Sequence, residues 1–298
     1  MELEGAARAV ALRREHAREV AELIRACELH DGGLAERTLE DMQAIWGRPS
    51  FSLAGSAVGV RDGDALVAYG AIAWPRYADV WVLPSHRGRG IGAALMRWSW
   101  DAARALGHPS VGQSVHERAV DAIALLTAAG YEQTRTSWIL EIELDAPPPA
   151  PALPGGYALR TFVPGRDERA AYQVIEDAFA EWPDRDDEPY EDWVAQTLGR
   201  PGFAPEQLLL AVRGDAVVGA LVLVDDGEGY VDQLAVARAH RGKGLARALL
   251  QGAFAIAWER GQRSCVLATD TRTGALGLYE HVGMRPRGTY PHFERELP

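Results

Sequence analysis

Cysteine is almost absent from the chain, with two in 298 residues. Cys27 falls in a helix-like segment and Cys265 in a strand-like one, in what the pattern below makes separate domains, so neither a disulfide framework nor a cysteine metal site organises the fold. The histidines stand at no recognised ligand spacing, and no metal is expected. Long apolar runs are missing as well. No stretch approaches the roughly 18 apolar residues of a membrane span, and the opening MELEGAARAVALRREHAREV lacks the basic patch and apolar run of an export signal, so the chain reads as cytoplasmic with no membrane partner. Positive charge is in deficit: 31 Lys and Arg against 42 Asp and Glu leave a formal net charge of −11. That field repels a phosphate backbone, so no nucleic-acid partner is expected, and any anionic ligand must be held by a local site.

What is present is an apolar content of 47% in 298 residues, enough for two cores. A Pro/Gly run, LDAPPPAPALPGG near residue 150, has almost no side chains to build a core and reads as a semi-rigid linker. It divides the chain into an N-terminal domain over 1–145, a linker over 146–156 and a C-terminal domain over 157–298. On the N-terminal side the patterning predicts a strand over 9–13, helices over 15–27 and 37–46, and strands over 57–61, 66–73 and 79–83. A long helix over 91–106, a strand over 110–114, a helix over 120–129 and a closing strand over 137–144 follow. The C-terminal side repeats the order, with a strand over 157–161, helices over 167–180 and 190–198, and strands over 208–213, 217–224 and 230–236. It ends with a long helix over 245–260, a strand over 264–268, a short helix over 274–281 and a last strand over 292–296. The fold class is α+β, two tandem domains, each a mixed, mostly antiparallel sheet flanked by helices.

The repeat is explicit at one motif. HRGRGIGAAL begins at His86 and HRGKGLARAL at His240, 154 positions later, and Ala122, Leu125 and Gly130 match Ala275, Leu278 and Gly283 at an offset of 153. A period near 150 marks a duplicated domain and not a solenoid, whose units are about 20–50 residues. Each decapeptide follows a short apolar strand (Val80, Trp81, Val82; Leu234, Ala235, Val236) and opens a long amphipathic helix. Such a turn bares backbone N–H groups at a positive helix terminus, which suits phosphate. Gly88, Gly90, Gly92, Gly242, Gly244 and the small Ala246 let a bulky anion approach the backbone around Ile91 and Leu245, while Arg87, Arg89, Arg241 and Lys243 supply charge. A dinucleotide fingerprint fits poorly, because the turn follows a fourth strand and Arg247 stands where a small residue belongs. A P-loop fails too, with Gly244 in place of the Ser or Thr that binds magnesium.

Arg87-x-x-Gly90-x-Gly92 and Arg241-x-x-Gly244-x-Ala246, each after a fourth strand, together with ALGLYEHVGM from Ala275 to Met284, resemble the GCN5-related N-acetyltransferase (GNAT) family over nearly the whole chain. The resemblance implies that the anion is the pyrophosphate of acetyl-CoA, with the pantetheine arm pairing beside the preceding strand like an added strand. It also implies that Tyr279 protonates the departing thiolate. The matching N-terminal residue is Leu126, which has no proton to give, so the C-terminal domain is expected to be catalytic and the N-terminal one not. Outside the family context, Tyr279 reads equally well as a core tyrosine. Asp232 and Glu228 share a face of a regular strand and are the candidate general bases, acting through a water.

Acceptor choice in this family lies in the first two helices and the loop between them. Here that segment, AEWPDRDDEPYEDW, sets Asp186 and Asp187 among Trp182 and Tyr190, a pairing of carboxylate and aromatic that suits a cationic small-molecule amine, although a run of charges is as readily a solvated loop. The tandem layout also resembles the mycothiol synthase family, in which only the C-terminal half is active and a cysteinyl amine is acetylated. A non-catalytic acyl-CoA sensor is the competing class. The sequence leaves the oligomeric state unspecified.

Overall fold

The structure is a computed structural model that describes residues 3, 6–48, 51–182, 187–225 and 227–298. The chain forms two compact units, Met1–Thr136 with Gly288–Pro298, and Ser137–Arg287.

In the first unit, β1 (Ala7–Val10), α1 (Ala17–Asp31), α2 (Leu39–Gly47) and the short α3 (Leu53–Ser56) lead into β2 (Ala57–Asp62), β3 (Ala65–Trp74) and β4 (Tyr77–Val82). Next come α4 (Ile91–Ala105), β5 (Ser110–Ser114) and α5 (Val120–Ala128). Strands β1 to β4 pair antiparallel, and β4 runs parallel to β5. The middle strand β3, ALVAYGAIAW, is covered on both faces, which is why it reads as an unbroken apolar run instead of an alternating one. On one face Tyr69 and Ala71 meet Val20, Ile24 and Cys27, the stripe that α1 presents at helical spacing, and Trp46 of α2 donates from Nε1 to the Tyr69 hydroxyl at 3.3 Å. On the other face α4 covers the sheet with Leu95 and Met96. The start of α2 is fixed by a capping box, with Asp41 N–H donating to Thr38 Oγ1 at 3.1 Å and Thr38 N–H to Asp41 Oδ2 at 3.0 Å.

The second unit holds β7 (Ala158–Thr161), α6 (Glu168–Phe179), α7 (Tyr190–Thr197), β8 (Leu208–Arg213), β9 (Ala216–Asp225), β10 (Gly229–Val236), α8 (Leu245–Glu259), β11 (Ser264–Asp270) and α9 (Leu276–His281). Strands β7 to β10 are antiparallel, and β10 and β11 are parallel. Leu245, Leu249 and Ala253 of α8 pack on Leu221, Leu223 and Val231. Across the sheet, Ile175 of α6 and Trp193 of α7 pack on Leu208, Val222 and Ala235.

Each unit is closed by a strand from the other half of the sequence. Residues 137–143 of β6 (Glu132–Glu143) pair antiparallel with β11 in the second unit, and residues 292–296 of β12 (Arg285–Glu296) pair antiparallel with β5 in the first. Both expected closing strands therefore form, and each completes the sheet of the opposite repeat. A duplicated domain permits this because its two copies offer equivalent strand edges. Among the described residues, no helix is long and apolar enough to cross a membrane.

Candidate active site

Both glycine turns are built alike. Gly88 and Gly90 have φ of 74° and 76°, and Gly242 and Gly244 have 71° and 81°, a left-handed conformation in which a Cβ costs strain. A Cβ at any of the four meets nothing within 4 Å, so the space over the turn is open. Gly90 and Gly244 are the N-caps of α4 and α8, and neither helix has a side-chain cap. The first-turn amides are therefore left for a ligand, and a diphosphate fits this donor set.

The three arginines expected to add charge all have carboxylate partners. Arg241 donates from Nε to the Val236 carbonyl at 2.9 Å and from its two terminal nitrogens to Glu181 at 2.8 and 3.0 Å. Arg87 does the same, with Nε to the Val82 carbonyl at 3.2 Å and a fork onto Asp31 at 2.7 and 2.8 Å. Arg241 holds the Glu181 carboxyl below the usual range. Lys243 stands at the turn with Nζ 3.1 Å from the Ala239 carbonyl and 3.3 Å from the Tyr157 hydroxyl, and no carboxylate pairs with it among the described residues. Arg89 lies 3.6 Å from Asp62.

Beyond the turn lies a splayed pair of strands. β10 pairs with β11 only from Gly229 to Val231, opposite Cys265 to Leu267. The register between β10 and β9 slips between Val231 and Gln233, which makes Asp232 the extra residue of a β-bulge. The strand bends there. From Gln233 to Val236, β10 has no ladder partner on the β11 side among the described residues, so its N–H and C=O groups on that side can pair with an extended chain. The bulge turns Asp232 and Gln233 to the face covered by α6 and α7, where Trp193 Nε1 donates to Gln233 Oε1 at 3.0 Å. Asp232 is exposed and borders a groove with Thr197, Arg200 and Phe203. Glu228 precedes the strand and does not share this setting. Arg287 forks onto it at 3.0 and 3.1 Å, and Ser264 Oγ donates to it at 3.2 Å.

Tyr279 of α9 is buried with Val236, Leu245 and Leu249. Burial raises its pKa above the ordinary phenol value, and a hydrogen bond with Thr269, near the end of β11, partly offsets this. The phenol thus stays protonated at neutral pH, beside the strand that diverges from β10. In the first unit Leu126 is buried against Ile72, Ala78 and Met96. Two further contrasts separate the units. The β4–β3 slip falls on β3 between Ile72 and Trp74, leaving β4 regular from Ala78 to Val82, and Asp79 is ion-paired with Arg37 at 3.4 Å. Trp81 fills the position of Ala235 and packs against the α1 and α2 side.

The acceptor-side expectations fare unevenly. Asp186 lies outside the described residues, and Asp187 is exposed. Tyr190 packs on Tyr172 at 5.2 Å between centroids and carries Arg169 over its ring at 3.7 Å. Trp182 stacks on Phe179 at 4.7 Å, and Arg272 lies 5.2 Å from its ring. Sequence reasoning passed over Thr269, Gln233 and the Asp270–Arg272 pair. The Thr at the strand end next to Tyr279's helix was a usable signal for the first, but nothing in the sequence marks the other contacts. Among the described residues, no three His, Cys, Asp or Glu side chains stand together as metal ligands would. Cys27 and Cys265 are buried, with their thiols pushed up to about 11 and about 12 by desolvation.

The family model described as "Acetyltransferase (GNAT) family" matches residues 18–131 and again 169–284. A mycothiol acetyltransferase of Thermobispora bispora is 34% identical over 233 residues, covering 74% of this chain and 77% of the relative. One from Thermomonospora curvata is 32% identical, with 89% of each chain covered. The crystal structure of a GCN5-related N-acetyltransferase from Sphaerobacter thermophilus superposes with a TM-score of 0.85 at 32% identity over 99% of this chain and 97% of that one. A tandem GNAT protein from the clavulanic acid biosynthesis pathway gives 0.75 at 19% identity over 98% and 99%, a likeness of fold alone.

Proposed function

Because the chain belongs to the acetyltransferase (GNAT) family, whose members use acetyl-CoA, and is an N-acetyltransferase, we propose that its C-terminal repeat, within 157–298, transfers acetyl from acetyl-CoA directly to the primary amine of a small molecule. The N-terminal repeat, within 1–145, is non-catalytic in this reading. The observation that carries it is the phenol of Tyr279, kept protonated beside the splayed strands, against the buried Leu126 of the other repeat.

The donor supplies an acetyl group activated as a thioester. The amides of Gly242 to Ala246 hold its diphosphate, and Lys243, with no carboxylate partner among the described residues, adds positive charge. The open edge of β10 from Gln233 to Val236 takes the extended arm, and an N–H of that edge stabilises the oxyanion that forms at the carbonyl. Asp232 removes the ammonium proton through a water, so that the amine attacks as the neutral base. Tyr279 then gives its proton to the leaving thiolate. Glu228 takes no part, since Arg287 and Ser264 engage its carboxylate. In the first repeat β4 carries no bulge, Asp79 is paired with Arg37, and Trp81 occupies the acceptor side.

The relatives are named mycothiol acetyltransferases, which favours the acceptor class that the mycothiol synthase resemblance implies, the cysteinyl amine of a thiol pseudodisaccharide. The test is loss of the thioester absorbance of acetyl-CoA in the presence of that amine and a panel of other primary amines. Turnover with at least one amine, and a fall in kcat of about 10- to 1,000-fold in Tyr279→Phe, supports the reading. Tight coenzyme A binding with no turnover on any amine makes the chain a sensor instead.

A further inference from the structure

The arginine that defines the turn motif does not face the space over the turn. Its guanidinium bridges the last carbonyl of β10, on Val236, and the carboxylate of Glu181 beyond the end of α6. The pair is neutral as a unit, so it adds little to the attraction of a diphosphate, whereas Lys243 has no carboxylate partner among the described residues.

From Glu181 the connection continues. Trp182, the next residue, stacks on Phe179 at 4.7 Å and lies under the Arg272 guanidinium at 5.2 Å, and Arg272 donates from Nε to Asp270, the last residue of β11, at 2.8 Å. The side chain of Asp270 is buried and receives the Arg272 backbone N–H as well, at 2.9 Å. These contacts run from the end of β10 to the end of β11, the two strands that part company after Val231 and Leu267. They cross the mouth of the cleft.

We infer that Arg241 is a positioning residue: with Glu181, Trp182, Arg272 and Asp270 it straps residues 180–182, on the acceptor side after α6, across the opening between β10 and β11. The strap sets the floor on which the incoming amine rests and leaves donor binding to the amides and Lys243. This rests on the proposed reaction for the identity of the acceptor side. The first link recurs in the other unit, where Arg87 bridges the Val82 carbonyl and Asp31 at the end of α1. The second link does not recur there. Gly32 stands after Asp31, and the His116 ring, edge-on to Tyr290 at 5.2 Å between centroids, lies 3.0 Å from where its Cβ would be, so that side is packed by a ring from another loop and not by an aromatic on the segment itself. An aspartate in one unit and a glutamate in the other reach the same fork, so the geometry is set by the bidentate guanidinium.

The experiment compares Arg241→Gln, Arg241→Lys, Glu181→Asp and Lys243→Ala in the full chain. Coenzyme A affinity is read by calorimetry, amide exchange at Ala180 and Trp182 by mass spectrometry, and KM for acetyl-CoA and for the cysteinyl amine by steady-state rates. In Arg241→Gln and Arg241→Lys, exchange at those two amides and the amine KM are expected to rise about tenfold, while coenzyme A affinity stays within about threefold. Glu181→Asp retains the wild-type values, and Lys243→Ala alone weakens coenzyme A. A loss of coenzyme A affinity of about tenfold in Arg241→Gln with unchanged exchange makes Arg241 a phosphate ligand and overturns the inference. So does the absence of any change, the behaviour of an idle surface pair. The calorimetric and exchange arms use coenzyme A alone, so they decide the strap even where the acceptor class proposed above is wrong.

Discussion

Replacing Asp167 by asparagine is expected to loosen the corner that carries α6, and the structure sets the size of the effect. The Asp167 carboxylate accepts Arg160 at 2.6 and 2.9 Å, Arg166 at 3.0 and 3.2 Å, and the Val163 N–H at 2.8 Å, with its side chain only 4% exposed. Its backbone carbonyl meanwhile takes the Ala171 N–H at 2.8 Å to begin the helix. Asparagine keeps one acceptor oxygen and turns an NH2 toward two guanidinium groups. Removing one partner of a fully buried pair costs about 3–5 kcal/mol, but Arg160 and Arg166 are 29% and 56% exposed and recover water. The loss is therefore nearer that of one charged hydrogen bond, about 2 kcal/mol. For a unit of this size it lowers the melting temperature by about 4–8 °C.

The pH dependence adds a sign. The arginines hold the Asp167 carboxyl well below the usual carboxylate range in the folded state. Its contribution is complete above the unfolded aspartate value, near about 4, and drains away as pH falls from there toward the depressed folded value. Differential scanning calorimetry of both proteins at pH 7 and at about pH 3 measures this. The gap between them is expected to narrow at the lower pH. Melting temperatures within 1 °C of each other at pH 7, or a gap that does not change with pH, refute the argument.

Three further expectations concern the site. Asp232→Asn is expected to lower kcat by about 10²- to 10⁴-fold, whereas Glu228→Gln lowers the melting temperature by breaking the Arg287 pair and leaves kcat within about twofold of wild type; the opposite pattern would exchange their roles. Gly244→Val forces a side chain to a φ of 81° and blocks the turn, so turnover is lost, while Gly90→Val, at 76°, leaves kcat in place if the first repeat is non-catalytic. Iodoacetamide at pH 8 is expected to label neither Cys27 nor Cys265 in the folded protein and both after denaturation, because burial holds their thiols protonated. Labelling of the native protein, followed by mass spectrometry, would contradict that.

The parts of this molecule that depend on local chemistry were legible in its residues. Alternation and helical spacing give the order of the main strands and helices in both repeats, and the glycine-rich decapeptides mark the two turns that open α4 and α8. The partner of a strand is a different matter. The alternation in β6 and β12 fixes which face is buried but not which edge is chosen, and two repeats with equivalent edges leave the exchange undetermined until the whole chain is folded. The bulge at Asp232 is invisible for a related reason. It appears only when β10 is set against β9, and a regular strand would have grouped Asp232 with Glu228. Arg87 and Arg241 were read as phosphate ligands from their place in a basic turn. Asp31 and Glu181, which engage them, lie 56 and 60 residues earlier, a separation over which sequence pattern carries no pairing information.

The most direct measurement of the central claim is a crystal structure with coenzyme A bound. The account predicts the diphosphate on the amides of Gly242 to Ala246, the arm along Gln233 to Val236, and the sulfur within about 3.5 Å of the Tyr279 hydroxyl. A diphosphate held elsewhere, or a sulfur out of reach of that phenol, would contradict it.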